Sequence, residues 1–265
     1  TEVLQRNLSR GFKNLKIFEA GRVFIPGERQ GSASIPPLGE RPSDEVLADL
    51  NAGIPEQPVY FSGLFAGAEH EPMPGTQARA YDWRDALDAA RLIADVLGVE
   101  IVIAQGTHQA FHPGRTAQLR TQDGQTIGYA GELHPKLLQT ENLPERTCAF
   151  EVNFTELFAS RSGVPQASPI YGYPAATQDV ALVVDEDIPA SEVAQALRDG
   201  AGELLEDLRV FDDYRGQGVE SGKKSLAFAM RFRAPDRTLT AEEASASREA
   251  AVAVAAERFG AVARV

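Results

Sequence analysis

Ser225–Ala234 has the sequence SLAFAMRFRA, and its alternation of residue types decides how the second half of the chain is interpreted. Successive side chains of an extended strand point to opposite faces, so large apolar residues share one face and small and basic residues share the other. The apolar face carries Leu226, Phe228, Met230 and Phe232, and the other face carries Ala227, Ala229, Arg231 and Arg233. This pattern is typical of a sheet that is packed on one side and open on the other.

Length and composition indicate an ordinary globular chain of two domains. The 265 residues exceed one small domain, and the hydrophobic share of 43% is normal. No apolar run reaches the roughly 18 residues of a membrane helix, and Thr1–Arg10 lacks the apolar centre of a signal peptide. The chain starts without Met, in what looks like the end of a helix, so we expect a fragment of a longer protein.

Charge and cysteine content limit the function classes. The net charge of -12 argues against binding nucleic acid through bulk charge, so any such contact must be local. Cys148 is the only cysteine, which excludes an intrachain disulfide. A lone cysteine fits a reducing compartment, and we expect the cytoplasm.

The first part of the chain, residues 1–158, predicts a mixed, largely antiparallel sheet with one long helix. The helix pattern runs over Asp82–Leu97 and ends at Gly98, and Gly31–Ile54 has the composition of a surface insertion. Asp123-Gly124 is a hairpin turn signal. Strand patterns occupy Ile17–Phe24, Val59–Gly67, Ile101–Ala104, Ala117–Thr121, Gln125–Glu132 and Ala149–Phe154. Residues 159–171 have linker composition.

The second part, residues 172–265, predicts a ferredoxin-like domain in an α+β chain. Strand and helix patterns alternate in the order βαββαβ, which is the split-βαβ arrangement with both helices on one sheet face. They occupy Asp179–Val184, Ala190–Ala201, Leu205–Arg215, Ser225–Ala234, a helix to Phe259 and Ala261–Val265. Thr240 and Glu243 have the spacing of a capping box at the start of the last helix.

Several motifs carry a family resemblance. In the second domain they are Tyr173-Pro174, Asp179–Pro189 (DVALVVDEDIP), Leu208–Gly216 (LRVFDDYRG), Gly222–Thr240 (GKKSLAFAMRFRAPDRTLT) and the final helix. In the first they are Arg6–Gly11 (RNLSRG), Phe18–Phe24 (FEAGRVF), His112–Ala117 (HPGRTA) and Ile127–Pro135 (IGYAGELHP). Together the motifs resemble the β-subunit family of bacterial phenylalanyl-tRNA synthetases. In that family a class II synthetase-like module precedes a ferredoxin-fold anticodon-binding domain.

The resemblance implies a subunit of a larger ligase. It implies that the tRNA-binding, oligonucleotide-fold and editing domains of the family lie upstream. It also implies an α subunit as partner in an (αβ)2 assembly and tRNA-Phe as substrate, with ATP and Mg used by the holoenzyme and no role for DNA or a membrane. The chain departs from the family at Ala175–Gln178, where relatives usually carry basic residues.

We expect no catalysis by the first domain. A class II active site holds ATP with arginines, one of them in a Gly-rich strand–helix junction. Here Gly131-Glu132 is followed by His134-Pro135, with no arginine and no run of glycines, so the charge that would stabilise the transition state is missing. We therefore predict no catalytic residue and no cofactor bound by this segment.

The histidines of the first domain raise two separate questions, whether they form a metal site and what the His112–Arg115 segment does. The spacing of His108, His112 and His134 fits no metal-ligand pattern, so we predict no metal site. His112–Arg115 either forms a tight turn in which Arg115 pairs with an acidic neighbour, or contacts a partner subunit.

The candidate RNA site lies on the open sheet face. Simple alternation along Leu205–Arg215 points Arg209, Phe211 and Asp213 outward. Arginines bind phosphates and stack on bases, an exposed Phe can stack on an unpaired base, and proteins read RNA mainly in single-stranded loops. The predicted nucleic-acid-binding residues are Arg209, Phe211, Lys223, Lys224, Arg231 and Arg233.

Three alternatives remain open from the residues alone. The face is solvated, with Phe211 covered by a neighbouring domain. Alternatively, the domain is a ferredoxin-like regulatory module of the ACT type that binds a small effector. Finally, the open face is a pure assembly element that is buried against another subunit.

Overall fold

The chain folds into two compact units, Thr1–Gln166 and Ala167–Val265. The structure is a computed structural model that describes residues 1–27, 35–36, 38–161, 163, 167 and 172–264. Part of the predicted insertion at 31–54 and most of the predicted linker at 159–171 lie outside the described residues. Helices and antiparallel sheets make up both units, so the predicted α+β class is confirmed.

A six-stranded antiparallel sheet forms the centre of the first unit. Its strands are β1 (Leu15–Arg22), β2 (Val59–Ala66), β3 (Val102–Gln105), β4 (Phe111–Arg120), β5 (Thr126–Leu133) and β6 (Cys148–Asn153). Their spatial order is β1-β2-β6-β5-β4-β3, and each neighbouring pair is antiparallel. The sheet therefore brings β5 and β6 to the middle, where their apolar residues are buried.

The described part of the first unit also contains five helices. They are α1 (Glu2–Ser9), α2 (Asp44–Ala52), α3 (Trp83–Leu97), α4 (Pro135–Thr140) and α5 (Phe154–Ala159). The longest, α3, begins at a capping box formed by Asp82 and Asp85 and ends at Gly98, whose positive φ suits a glycine. Its Ala86, Leu87, Ala90 and Ala94 lie in one core cluster with Phe65 and Phe150. The sequence therefore predicts this helix correctly from its apolar stripe and its stop signal.

The second unit has the ferredoxin-like order βαββαβ. Its elements are β7 (Ala176–Asp185), α6 (Ala190–Ala201), β8 (Leu205–Tyr214), β9 (Lys223–Phe232), α7 (Ala241–Phe259) and β10 (Val262–Ala263). The sheet order is β10-β7-β9-β8, with antiparallel neighbours throughout. The strand that we singled out in the sequence, β9, is thus paired on both sides.

Both helices of the second unit pack on the same face of its sheet. Leu226, Phe228, Met230 and Phe232 of β9 are all buried, in one cluster with Val193 and Leu197 of α6 and Ala251 and Ala255 of α7. The alternate residues Ala227, Ala229 and Arg231 are half-buried or exposed. The predicted division of β9 into a core face and an open face is therefore what the structure has.

Two β-bulges interrupt the pairing of β8 with β9. The register shifts between Leu205 and Asp207 and again between Val210 and Asp212, so Glu206 and Phe211 are extra residues. Beyond the second bulge Asp212 lies opposite Ala227, whereas Asp213 lies opposite Leu226 of the core face. Our prediction that Asp213 points to the open side with Arg209 is wrong, because one inserted residue reverses the alternation of the strand.

Candidate nucleic-acid interface

We define the open face as the side of the second unit's sheet that lies away from α6 and α7. The strand register places on it Thr177, Asp179 and Ala181 of β7, Ser225, Ala227, Ala229 and Arg231 of β9, and Asp207, Arg209, Asp212 and Tyr214 of β8. Its middle is a floor of small side chains, since Ala181 lies opposite Ala227. Charged and aromatic residues surround this floor, which is a geometry that can accept a flat ring.

Glu206 binds both arginines at one end of the open face. Its Oε2 lies 2.8 Å from Nε of Arg231, and its Oε1 accepts a hydrogen bond from Nε of Arg233 at 3.0 Å. Arg233 also donates from Nη1 to the carbonyl oxygen of Tyr173. The two side chains therefore have different surroundings: that of Arg233 is 19% exposed, whereas that of Arg231 is 48% exposed.

Arg209 and Phe211 lie on β8, which forms an edge of the sheet. Arg209 is exposed and lies opposite Ala229, beside the alanine floor. No ion-pair partner of Arg209 is found among the residues that the structure describes. Phe211 is the extra residue of the second bulge and is 52% exposed. Both side chains are accessible to a ligand from solvent.

The two lysines at the start of β9 have opposite surroundings. Lys223 lies on the open side opposite Asp185, and its Nζ forms a 2.8 Å ion pair with Oδ1 of that residue. This hydrogen bond raises the pKa of Lys223. Lys224 is only 5% exposed, and its Nζ donates to the carbonyl oxygen of Glu186 at 2.9 Å. Placing Lys224 in the RNA site is therefore wrong, because the alternation of β9 directs it to the core side.

Sequence reasoning missed an aromatic and cationic pair at the other end of the open face. Tyr214 of β8 lies opposite Ser225, and the guanidinium of Arg264 lies 5.3 Å from the centre of its ring. The Tyr214 hydroxyl donates to the carbonyl oxygen of Gln217 at 3.2 Å. Arg264 follows β10 and donates its backbone N–H to Ala181 at 2.8 Å. Simple alternation from Arg209 would put Tyr214 on the core side, and only the bulge at Phe211 brings it here.

Positive and negative charges alternate over this surface. Its basic side chains are Arg209, Lys223, Arg231, Arg233 and Arg264, and its acidic ones are Asp179, Asp185, Glu206, Asp207 and Asp212. Because positive and negative charges are balanced on it, this surface does not attract nucleic acids in general. Any affinity for a nucleic acid must then come from the placement of individual side chains.

In the first unit, the His112–Arg115 segment is a bulge inside β4, where the register with β5 shifts between Phe111 and Thr116. Nδ1 of His112 accepts a hydrogen bond from the N–H of Gly114 at 3.0 Å, within the irregular part of β4. Nη1 of Arg115 lies 2.7 Å from Glu132, whose other carboxylate oxygen is 2.8 Å from Nη2 of Arg146. The predicted pairing of Arg115 with an acidic neighbour is confirmed, whereas the predicted tight turn is instead a bulge within β4.

The other two histidines of the first unit also make local contacts. Nδ1 of His108 accepts from the N–H of Ala110 at 3.3 Å, and Nδ1 of His134 caps α4 by accepting from Lys136 at 3.1 Å. Among the described residues, no three His, Cys, Asp or Glu side chains form a group that could hold a metal ion. Nor does the described part of the chain contain a helix with the length and hydropathy needed to cross a membrane.

The fold defines the class of protein: an α+β chain in which a six-stranded antiparallel unit precedes a ferredoxin-like unit whose own helices lie on one face of its sheet only. Comparison with known protein families identifies the family to which the chain belongs. Residues 1–154 match the phenylalanyl tRNA synthetase beta chain CLM domain, and residues 172–264 match the ferredoxin-fold anticodon binding domain. The chain therefore belongs to the phenylalanyl-tRNA synthetase β-chain family, and the resemblance that we drew from the sequence is confirmed.

Individual relatives agree with this assignment. The chain is 49% identical over 264 residues to the phenylalanine–tRNA ligase β subunit of Streptomyces avermitilis, covering 98% of this chain and 32% of the relative. It is 48% identical over 264 residues to that of Leifsonia xyli (99% and 31%) and 44% identical over 267 residues to that of Thermobifida fusca (99% and 32%). The chain thus spans about a third of the length of these curated relatives.

Proposed function

We propose that this chain serves phenylalanine–tRNA ligase as a non-catalytic scaffold followed by a domain that binds the anticodon region of tRNA-Phe. The observation that carries the proposal is the open face of the second unit, where Arg231 and Arg209 stand beside a floor of alanines. The family assignment supports it, because the second unit matches a ferredoxin-fold anticodon binding domain. The ACT-type and pure assembly alternatives have no comparable support.

The contacts in this proposal follow from the chemistry of the open face. Arg209 and Arg231 bind phosphate oxygens or base edges of the loop through charge-assisted hydrogen bonds. Phe211 and Tyr214 are exposed aromatic rings, and stacking of an unpaired base on such a ring is worth roughly 1–3 kcal/mol. Lys223 assists at the margin, where a phosphate would compete with Asp185.

The first unit is proposed to dock the α subunit and to perform no adenylation. Arg115 and Arg146 of this unit are both paired with the buried Glu132. This pairing supports a structural role for the two arginines, and we assign no catalytic step to them. We propose that the holoenzyme is an (αβ)2 assembly in the cytoplasm and that it uses ATP and Mg through its α subunit.

Binding of tRNA by the 265-residue chain tests the proposal for the second unit. A tRNA-Phe transcript and a transcript with another anticodon are titrated at several salt concentrations. We expect tighter binding of tRNA-Phe and an affinity that falls as salt rises, since phosphate contacts release counterions. Equal or absent binding of the two transcripts contradicts the proposal and favours the effector or assembly alternative.

ATP–pyrophosphate exchange tests the proposal for the first unit. Without an α subunit, we expect no phenylalanine-dependent exchange above the rate of a reaction without protein. Exchange that persists after removal of trace contaminants would contradict a non-catalytic role.

A further inference from the structure

Glu206 occupies an unusual position in the open face because it is an inserted residue. The register pairs Leu205 with Phe232 and Asp207 with Arg231, which leaves Glu206 as the extra residue of the first bulge. A bulge redirects a side chain that regular pairing would place elsewhere. Here it lets one carboxylate, 24% exposed, bind Arg231 and Arg233 at the same time.

The contact made by Glu206 orients Arg231 without occupying it. The carboxylate lies against Nε, on the inner edge of the guanidinium. An arginine has five N–H donors in a rigid planar fork, so the four donors on its Nη atoms remain for a ligand. Among the described residues none binds these Nη atoms. Arg231 is thus held in one direction with its outer edge presented to solvent.

We propose that Glu206 is a specificity-determining residue for RNA binding at the open face. It acts through Arg231, and in this sense it is a positioning residue. Its carboxylate fixes the guanidinium so that only a phosphate or base edge that reaches the Nη side is bound. It also neutralises part of the positive charge that would attract any polyanion. This inference rests on the proposed function of the second unit.

Removing the charge of Glu206 should change two quantities in opposite directions: the affinity for any RNA and the preference for the cognate RNA. In Glu206→Gln the face gains positive charge, so the affinity for any RNA rises slightly. The guanidinium of Arg231 loses its fixed orientation, so the advantage of the cognate RNA over others falls. We expect the ratio of affinities for tRNA-Phe and a non-cognate tRNA to fall about fivefold, while the non-cognate affinity is unchanged or rises about twofold.

Asp207→Asn is a matched control for bulk charge. Asp207 follows Glu206 on the same strand, lies opposite Arg231 on the open face, and has no ion-pair partner among the described residues. The substitution makes the same change in charge without touching a guanidinium contact. We expect it to raise both affinities together and to leave their ratio as in the wild type. If Glu206→Gln and Asp207→Asn change the ratio equally, the positioning role is overturned.

A second variant keeps the test decisive if Glu206→Gln folds poorly, which thermal melting reveals. Arg231→Lys keeps the charge but removes the planar fork, and we expect it to lower the ratio about as much as Glu206→Gln. Where both variants fold, the double variant Glu206→Gln/Arg231→Lys should lower the ratio of affinities no further than either single variant does. Both changes remove the same feature, the oriented guanidinium of Arg231. Additive losses overturn the inference, as does an unchanged ratio in Arg231→Lys. Failure of the proposed function is distinct, because the wild-type chain would then show no preference at all.

Discussion

Gly200 of α6 lies against Ala251 of α7 at backbone contact distance. A Cβ atom placed on Gly200 would lie 2.7 Å from Cα of Ala251 and 2.8 Å from the carbonyl oxygen of Ala250. Two of the three nearest atoms belong to the backbone, which cannot turn away as a flexible side chain can, and the third is Cγ2 of Val254 at 2.9 Å. The close approach lets the two helices cover one face of a small sheet, which leaves the other face free.

Gly200→Ala should therefore destabilise the second unit in spite of the higher helix propensity of alanine. The propensity gain is about 1 kcal/mol, whereas overpacking typically costs about 1–3 kcal/mol. We expect a net loss of up to about 2 kcal/mol in the free energy of unfolding, measured by denaturant titration. Adding Ala251→Gly should not restore stability, because the clash involves the backbone. A stabilised Gly200→Ala variant would show that the helices separate easily.

Glu132→Gln should destabilise the first unit. Glu132 is 3% exposed and accepts from Arg115 and Arg146, so removing its charge weakens two ion pairs at once. We expect a loss of about 1–3 kcal/mol in the free energy of unfolding. Glu151→Gln is the matched control, since Glu151 is exposed on the neighbouring strand, and it should change stability by less than about 0.5 kcal/mol. Equal effects of the two variants would contradict a stabilising role for the cluster.

The stability of the first unit should depend on pH through Asp85 at the start of α3. Two hydrogen bonds from Arg79, at 2.9 and 2.6 Å, lower the pKa of this carboxyl. A lowered pKa in the folded state means that the stabilisation is complete above the ordinary value of about 3.9 and is lost as the pH falls through the folded value.

Asp85→Asn tests this dependence. The variant should be less stable than the wild type by about 1 kcal/mol at pH 7, and the difference should shrink below about pH 4. Asp88→Asn, whose side chain is 72% exposed on the same helix, should show a small difference at every pH. A constant deficit of Asp85→Asn between pH 7 and pH 3 would exclude the ionised carboxylate as its source.

Cys148 should be unreactive in the folded chain. The residue is fully buried, its Sγ donates to the carbonyl oxygen of Arg146 at 3.2 Å, and burial raises the pKa of the thiol to about 12. Thiolate is the reactive form, so labelling by a disulfide reagent at pH 8 should wait for opening of the first unit. Glu132→Gln should accelerate it, and an added cysteine at the exposed position 160 (Ser160→Cys) should react at once. Immediate labelling of Cys148 would contradict its burial.

The sequence predicts well those helices and strands whose apolar residues recur at one regular spacing from end to end. The helix at Ala190–Ala201 and the division of β9 into two faces both follow from residue spacing, and the structure has both. The strand pattern at Ala117–Thr121 captures only the second half of β4, because the bulge at His112–Arg115 interrupts the alternation before it. The short helix Phe154–Ala159 was not predicted, since six residues carry too little periodicity.

The sequence predicts only part of the candidate site, because the alternation of side chains is regular in β9 and is interrupted by two bulges in β8. Arg209, Arg231 and Phe211 are accessible as expected, because their faces follow from alternation or from exposure at the sheet edge. Tyr214 was missed because no sequence signal marks a bulge at Phe211. The prediction for Lys224 fails because adjacent residues of a strand face opposite sides, which directs Lys224 to the core side and Lys223 to the open side. The pairing of Arg233 with Glu206 depends on the other bulge and could not be foreseen.

The different surroundings of Arg231 and Arg233 lead to the last prediction, in which the two arginines are replaced singly. Both changes remove one positive charge from the same end of the open face, so effects of bulk charge cancel in the comparison. Arg231→Ala removes Nη donors that no described residue binds, together with a half-exposed ion pair to Glu206 that contributes little to stability. We expect tRNA-Phe affinity to fall about tenfold and the melting temperature to stay near that of the wild type.

Arg233→Ala should show the opposite pattern. Its side chain is 19% exposed and donates to Tyr173 and Glu206, so its loss leaves a carbonyl oxygen and part of a carboxylate without a donor. We expect a loss of about 1–2 kcal/mol in the free energy of unfolding and less than about a threefold loss of tRNA affinity where the variant is still folded. Binding by filter titration and melting by circular dichroism, on the same preparations, separate the two effects. If Arg233→Ala weakens binding as much as Arg231→Ala does, both guanidinium groups contact the RNA, and the anchoring role of Arg233 is wrong.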